Sequence, residues 1–390
     1  MIIKEQVGKI IDEMIQVRRE LHKFPELSEM EFVTAEKISE QLEKYNIEHK
    51  CGIGGTGIVA IVRGKKSGKT VAAKADIDAL PIQEKTEVPY KSCSPGIMHA
   101  CGHDANSTIL LGTAIVLKAM EEQLIGNVKF FFESAEETIG GGKLMVEQGA
   151  MENPKVDSII GLHVMPYLEV GQVELKYGCL NASTNEVYIT VHGKSGHAAS
   201  PENTVDPVVV AAHVIVALQT LVSRNVSPTD SVVLTFGTIN GGTKGNIIPD
   251  EVTMKGTLRT LSNEQREFAK NKVRLIAENT AKALGATAEV EITDSYNALI
   301  SDDKIIDVII KETEKTLGKS AIIMKKEPSM GAEDFSYYTE NAKGAYFHIG
   351  CGNQRKNIVS DIHTETFDID EDCIALGIEL QTEIMLKLLQ

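Results

Sequence analysis

The sequence is poor in positive charge and has no long apolar run, and both shortfalls exclude partners. Its 390 residues hold 40 Lys and Arg against 55 Asp and Glu, a formal net charge of −15. Nucleic acid and anionic membranes are therefore not expected as main partners. No apolar stretch reads as membrane-spanning, and no apolar signal core comes after Met1-Ile2-Ile3-Lys4-Glu5. Cys51, Cys93, Cys101, Cys179, Cys351 and Cys373 lack any framework spacing, which favours free thiols in a reducing, cytoplasmic setting over a disulfide scaffold. H-E-x-x-H and C-x-x-C are both absent, as are low-complexity segments and obvious short repeats. The length suggests two domains.

What the chain does have is His99-Ala100-Cys101-Gly102-His103-Asp104. Cys101 and His103 stand two apart, so a tight turn lets both face one centre. Thiolate and imidazole are good ligands for zinc-like ions. A buried thiol with two backbone-bonded histidines would look the same, and the stretch alone leaves both readings open. A helix is expected to begin just after it, near Asn106.

The decision comes from short apolar strands and the polar residues at their ends. Thr70–Ala75 runs into Asp76-Ile77-Asp78. Val128–Phe132 runs into Glu133-Ser134-Ala135-Glu136-Glu137. Ser158–Leu162 delivers His163. Ligands in open α/β sheets gather where strands end. Three strand ends with Cys101 and His103 between them predict a metal site, and His363 is a candidate distant ligand. On an extended chain Glu136 and Glu137 face opposite ways, so one could bind metal while the other reaches its water. Two other stretches carry no chemistry in this reading. Gly52–Gly57 leads into Ile58–Val62, a strand and not the helix a dinucleotide site needs, so it is a turn. Glu29, Glu31, Glu36, Lys37 and Glu40, on a helix expected over about Ser28–Tyr45, read as a solvated face.

Between about Asn185 and Tyr296 the order becomes β-α-β-β-α-β, the split ferredoxin-like unit. The chain is expected to be α/β with two domains. An open mixed-sheet catalytic domain takes residues 1–184 and 297–390. Residues 185–296 form an inserted lid or dimerisation domain. Glycine-flanked His197 and the loop holding Asn246 lie in the insert; sequence alone leaves His197 open between structure and function.

Taken in order, Asp76-Ile-Asp-Ala-Leu-Pro81, Met98-His-Ala-Cys-Gly-His-Asp104, Ala135-Glu-Glu137, Leu162-His163, Gly196-His-Ala198, Asn246-Ile-Ile-Pro249, Gly331-Ala-Glu-Asp334 and Ile362-His363 form a specific set. On these the chain resembles, nearly end to end, the N-acyl-amino-acid amidohydrolases. That group includes hippurate hydrolase, aminoacylase-like and indole-acetyl-amino-acid hydrolases, metallopeptidase relatives akin to bacterial glutamate carboxypeptidases. The resemblance implies two divalent metal ions, zinc or manganese, with Cys101 bridging and His103, Glu137, His163 and His363 completing the ligands. It implies Glu136 as general base and acid. It implies His197 and Asn246 as holders of the scissile carbonyl and the substrate carboxylate, and a homodimer through the inserted domain. Asn106, Glu133-Ser134 and Lys74 depart from the family's usual histidine, Gln-Pro and arginine; none falls on a ligand.

The expected activity is metal-dependent removal of an N-acyl group from an amino acid or short peptide-like substrate. The rivals are a dipeptidase or carboxypeptidase on the same scaffold and a non-catalytic metal-binding protein. Retention of Glu136 beside a ligand speaks against the last, because holding a metal does not require a base.

Overall fold

The computed structural model describes residues 2–390. The chain forms two compact units. One runs to Leu180 and resumes over Ile300–Glu327 and Asp334–Gln390; the other comprises Asn181–Leu299 and Pro328–Glu333.

The first unit is built on an eight-stranded mixed sheet. Its order is Glu48–Cys51, Ile58–Arg63, Ile125–Glu133, Lys66–Asp76, Ser158–Glu169, Lys343–Gly352, Val173–Leu175 and Ile322–Met324. The four strands from Ile125–Glu133 to Lys343–Gly352 are mutually parallel. Their carboxyl ends therefore reach the same edge. Asp76 pairs with Glu133, and His163 lies in register with His348.

Strand side chains alternate between faces. One face presents Val71, Ala73 and Ala75; Val128, Phe130 and Phe132; Ile160, Leu162 and Val164; Ala345, Phe347 and Ile349. It packs on the helices His103–Ala119 and Asp372–Leu388, which also meet Ile2–Lys23. The other face carries Lys74, Asp76, Phe131, Glu133, Tyr346 and His348. The short helices Gly141–Glu147 and Ser336–Thr339 cover part of it, with Tyr338 stacked on Phe131 at 5.5 Å and Phe335 tilted against Tyr346 at 5.2 Å.

The helix His103–Ala119 starts three residues earlier than its apolar pattern suggests, so His103 is its first residue and not part of a loop. Gly102 makes this possible. Its φ of +86° is a left-handed value, and a Cβ there would stand 2.5 Å from Val164 Cγ2. The second helix is Phe32–Lys44, shorter than expected at its start. Glu31 precedes it and is fully buried, which corrects its assignment to a solvated face.

The second unit holds Ser183–His192, Pro207–Thr220, Val232–Gly241, Glu251–Thr260, Asn263–Ala283 and Thr287–Asp294, in β-α-β-β-α-β order. Its antiparallel sheet runs Val232–Gly241, Glu251–Thr260, Ser183–His192, Thr287–Asp294. Val210, Ala211, Val214 and Leu218 of the first helix join Val187, Ile189, Val252 and Met254 in its core. One expectation needs correcting here. The 19 helical residues Pro207–Asn225 do reach membrane-spanning length and apolarity by length and composition alone; the inner side of the helix packs on the sheet, and Val208, Val209 and Val216 on its outer side are exposed.

Candidate metal centre

Each ligand candidate in the first unit is held by a group behind it. His103 offers Nδ1 to two acceptors, the Asp78 carbonyl and Asp78 Oδ1, both at 3.0 Å. Nδ1 must then carry the proton, leaving Nε2 for the site. Asp78 is fixed in turn by the Ser28 hydroxyl at 2.8 Å and by the Glu137 amide at 3.1 Å, both donating to Oδ2. His163 donates from Nδ1 to the Val164 carbonyl at 2.7 Å, and its Nε2 stands 3.5 Å from Cys101 Sγ. Burial, with His103 close by, holds its imidazole well below the usual value, so the ring is neutral and ready to ligate. The Val164 amide donates to Asn106 Oδ1 at 3.0 Å. The residue that departs from the family's histidine thus anchors the strand at His163.

From the far end of the chain, His363 brings Nε2 to 3.4 Å from Cys101 Sγ and 3.3 Å from Glu137 Oε1. Its φ of +59° is strained for a histidine, and its amide is held by the Ala100 carbonyl at 2.7 Å. Burial pushes the Cys101 thiol up. A bound cation would reverse that preference, because a ligating thiol gives up its proton.

These side chains form overlapping triads whose ligand atoms all lie within 4.8 Å of one another. One is Cys101, His103 and His163; the next is Cys101, Glu137 and His363; the third is His103, Glu136 and Glu137. The first two share Cys101 alone. One set offers a thiol and two imidazoles and the other a thiol, a carboxylate and an imidazole, and each would suit a divalent cation such as zinc. Glu136 and Glu137 come to the same centre. The expectation that they face opposite ways fails because the strand ends at Glu133 and the chain turns at Ala135, whose φ is +59°. The rest of the opening cluster points elsewhere. Asp104 Oδ2 accepts from Arg18 at 2.7 Å and lies 2.8 Å from His22 Nδ1. His99 is buried with its ring 6.4 Å from that of His22, and burial pushes it down to about 4.

Asp76 does not join the triads. Its Oδ1 lies 2.6 Å from Lys74 Nζ, which also donates to Asp334 Oδ1 at 3.0 Å. Asp334 Oδ2 accepts from the Gly142 amide at 3.0 Å, and the Tyr338 hydroxyl donates to Glu133 Oε2 at 2.7 Å. Asp76, Glu133 and Asp334 are close enough to hold an ion, but the Lys74 ammonium already sits among them. Burial and the Asp334 charge push Glu133 well above the usual carboxylate value, so it keeps its proton. Burial pushes Asp334 up, but the Lys74 ammonium, the Glu133 hydrogen bond and the Gly142 amide together hold it below the usual carboxylate value, so it stays ionised. Asp334 reaches within 4.8 Å of Glu136. The lysine–carboxylate layer thus lies beside the candidate base.

In the second unit, His197 ends the two-residue strand Gly196–His197, paired with Ile247–Ile248. The Ala199 amide donates to His197 Nδ1 at 3.0 Å, and the Ala198 amide to the Asn246 carbonyl at 3.2 Å. In a neutral ring an accepting Nδ1 makes Nε2–H the donor. Both His197 and Asn246 are exposed.

The chain is similar to known proteins over nearly its whole length. The description peptidase family M20/M25/M40 matches residues 72–387. A thermostable carboxypeptidase 1 of Saccharolobus solfataricus is 37% identical over 379 residues, covering 96% of this chain and 95% of that protein. An N-acetyl-L-cysteine deacetylase of Bacillus subtilis is 39% identical over 362 residues, covering 93% and 85%. The crystal structure of the Bacillus subtilis YXEP protein, described as a dinuclear metal-binding peptidase from the M20 family, superposes with a TM-score of 0.86 at 32% identity, covering 98% of this chain and 99% of that one. The chain belongs to peptidase family M20/M25/M40.

Proposed function

We propose that the protein is a metal-dependent amidohydrolase that removes the acyl group from an N-acyl amino acid or a short peptide-like substrate. The observation that carries this is the pair of triads sharing Cys101, with Glu136 beside them. Cys101, His103, Glu137, His163 and His363 hold two divalent ions, zinc or manganese. Such ions, when bound, make water acidic and polarise an amide carbonyl. Glu136 takes the proton from the attacking water and returns it to the leaving nitrogen. The Nε2–H of His197 donates to the oxygen that gains charge in the tetrahedral intermediate, and Asn246 binds the substrate carboxylate. Asp78 keeps His103 in the ligating tautomer.

The second unit also supports a homodimer. The strand Val232–Gly241 is at the edge of its sheet and exposes Val233 and Ile239, and the neighbouring helix exposes Val208, Val209 and Val216. An open strand edge and exposed valines on the helix fit a second copy of the chain. The cysteines, all free, suit the cytoplasm. A carboxypeptidase reading has the Saccharolobus relative behind it. The test is amine release from N-acetyl-methionine and hippurate beside a dipeptide panel, with and without a chelator. We expect N-acyl amino acids to be cleaved, and chelation to abolish cleavage until metal is restored. Faster turnover of free dipeptides would favour the peptidase; chelator-resistant cleavage would refute the metal chemistry.

A further inference from the structure

Both carboxylates at the centre depend on the backbone of Ala135. Its φ of +59° is left-handed, a conformation that a residue with a Cβ avoids. Glycine would adopt it freely, and alanine needs something to hold it there. The Ala135 amide donates to Glu31 Oε1 at 2.8 Å. Glu31 is fully buried, and its other oxygen, Oε2, accepts from the Thr56 hydroxyl at 2.7 Å. Nearby contacts fix the rest of the turn. The Ser134 hydroxyl donates to the Gly54 carbonyl at 2.8 Å, the Gly140 amide to the Ala135 carbonyl at 3.1 Å, and the Glu137 amide to Asp78 at 3.1 Å. None of these three bonds engages the Ala135 amide. If Glu31 were removed, that buried donor would have no acceptor, and rotating the peptide away would relieve both faults at once. Glu136 is the next residue and would move with it.

The geometry points to Glu31 as a positioning residue. By accepting from the Ala135 amide it holds the left-handed turn that aims Glu136 and Glu137 at one centre. This rests on Glu136 being the base. Glu31 itself touches no triad. It acts from 104 residues away in sequence, at the start of the helix Phe32–Lys44.

The test is Glu31→Ala assayed at saturating divalent ion, so that weakened metal binding does not confound the rate. A displacement of about 1 Å in a catalytic group costs about a hundredfold in rate. We expect kcat to fall by about that factor, with KM little changed. Two further variants separate positioning from general support. Glu31→Gln still accepts from Ala135 through its oxygen and donates to a reoriented Thr56 hydroxyl, so it should retain most of kcat. Ala135→Gly removes the penalty of the left-handed turn, so Glu31→Ala/Ala135→Gly should recover part of the loss. Unchanged kcat in folded Glu31→Ala, or no recovery in the double variant, would overturn the proposal. If Glu31→Ala does not fold, Thr56→Val frees one end of the carboxylate: a several-fold fall in kcat supports the role, and wild-type kcat refutes it. Glu136→Gln is the control. Full activity there would overturn the base assignment; an inactive Glu136→Gln beside a fully active Glu31→Ala would overturn only the role of Glu31.

Discussion

Phe130 and Phe131 are consecutive in one strand and lie on opposite faces of the same sheet. Phe130 joins the aliphatic layer beneath the long helices. Phe131 stacks on Tyr338, whose hydroxyl donates to Glu133. The first face is continuous hydrocarbon. The second buries Lys74, Asp76, Glu133 and Asp334 without exposure to water. Burying charge is costly unless each charge is paired, and here a shared ammonium and a retained proton do the pairing. The two faces therefore fail differently. The hydrocarbon face stabilises the unit and tolerates change at the cost of stability. On the proposed function, the polar face and the edge beside it serve the chemistry, so change there should cost rate.

That contrast is breakable, and the sharpest test is at the edge. Glu136→Gln should lower kcat at least about 10²-fold, the lower range for acid–base catalysis, with bound metal and unfolding midpoint unchanged. Metal loss by inductively coupled plasma analysis in Glu136→Gln, with none in Glu137→Gln, would reverse their roles.

The next test compares the neighbouring phenylalanines. Phe130→Ala should cost about 3–5 kcal/mol of stability by denaturant titration while kcat/KM of the folded protein holds. Phe131→Ala should lower stability too, and should also reduce kcat, because it loosens Tyr338 and with it Glu133. Equal kinetic behaviour of the two variants would erase the distinction between the faces.

The smallest effect concerns the retained proton. The Glu133 carboxyl is raised in the folded state from its ordinary value of 4.5, by burial first and then by Asp334. Its contribution is therefore fully present below pH 4.5 and is lost as pH rises towards the folded value. Across that window the folded chain binds the proton more tightly, and wild-type stability falls by up to about 1.4 kcal/mol per pH unit. Glu133→Gln keeps a donor for Asp334 and has nothing to titrate. Its stability measured from pH 5 to pH 8 should fall less steeply. Parallel pH profiles for the two proteins would mean that Glu133 is ionised.

Much of this site was legible from strand ends. Asp76 and the Glu136-Glu137 pair do stand at or just past strand ends that the parallel sheet brings to one edge, but Asp76 meets Lys74 and not the triads, and His163 lies inside its strand, Ser158–Glu169, and not at its end. Cys101, His103 and His363 converge there too, although His363 gave only a weak local signal. Partnership at long range stayed hidden in the sequence. Glu31 sits among acidic residues that look solvated, and only the fold shows it turned inward to Ala135. The turn at Ala135 was invisible because alanine does not advertise a left-handed backbone as glycine does. Asp76 and Asp78 looked like one pair, yet one meets Lys74 and the other meets His103, because the strand ends between them.

His363 lies 200 residues downstream of His163, the fourth ligand candidate in chain order. A ribosome adding about 5–20 residues per second takes about 10–40 s to cover that distance. Throughout that interval Cys101 lacks its last partner, and for most of it the sheet also lacks the strand Lys343–Gly352. The nascent protein thus carries an unfinished centre until the second crossing of the chain through this unit is nearly made.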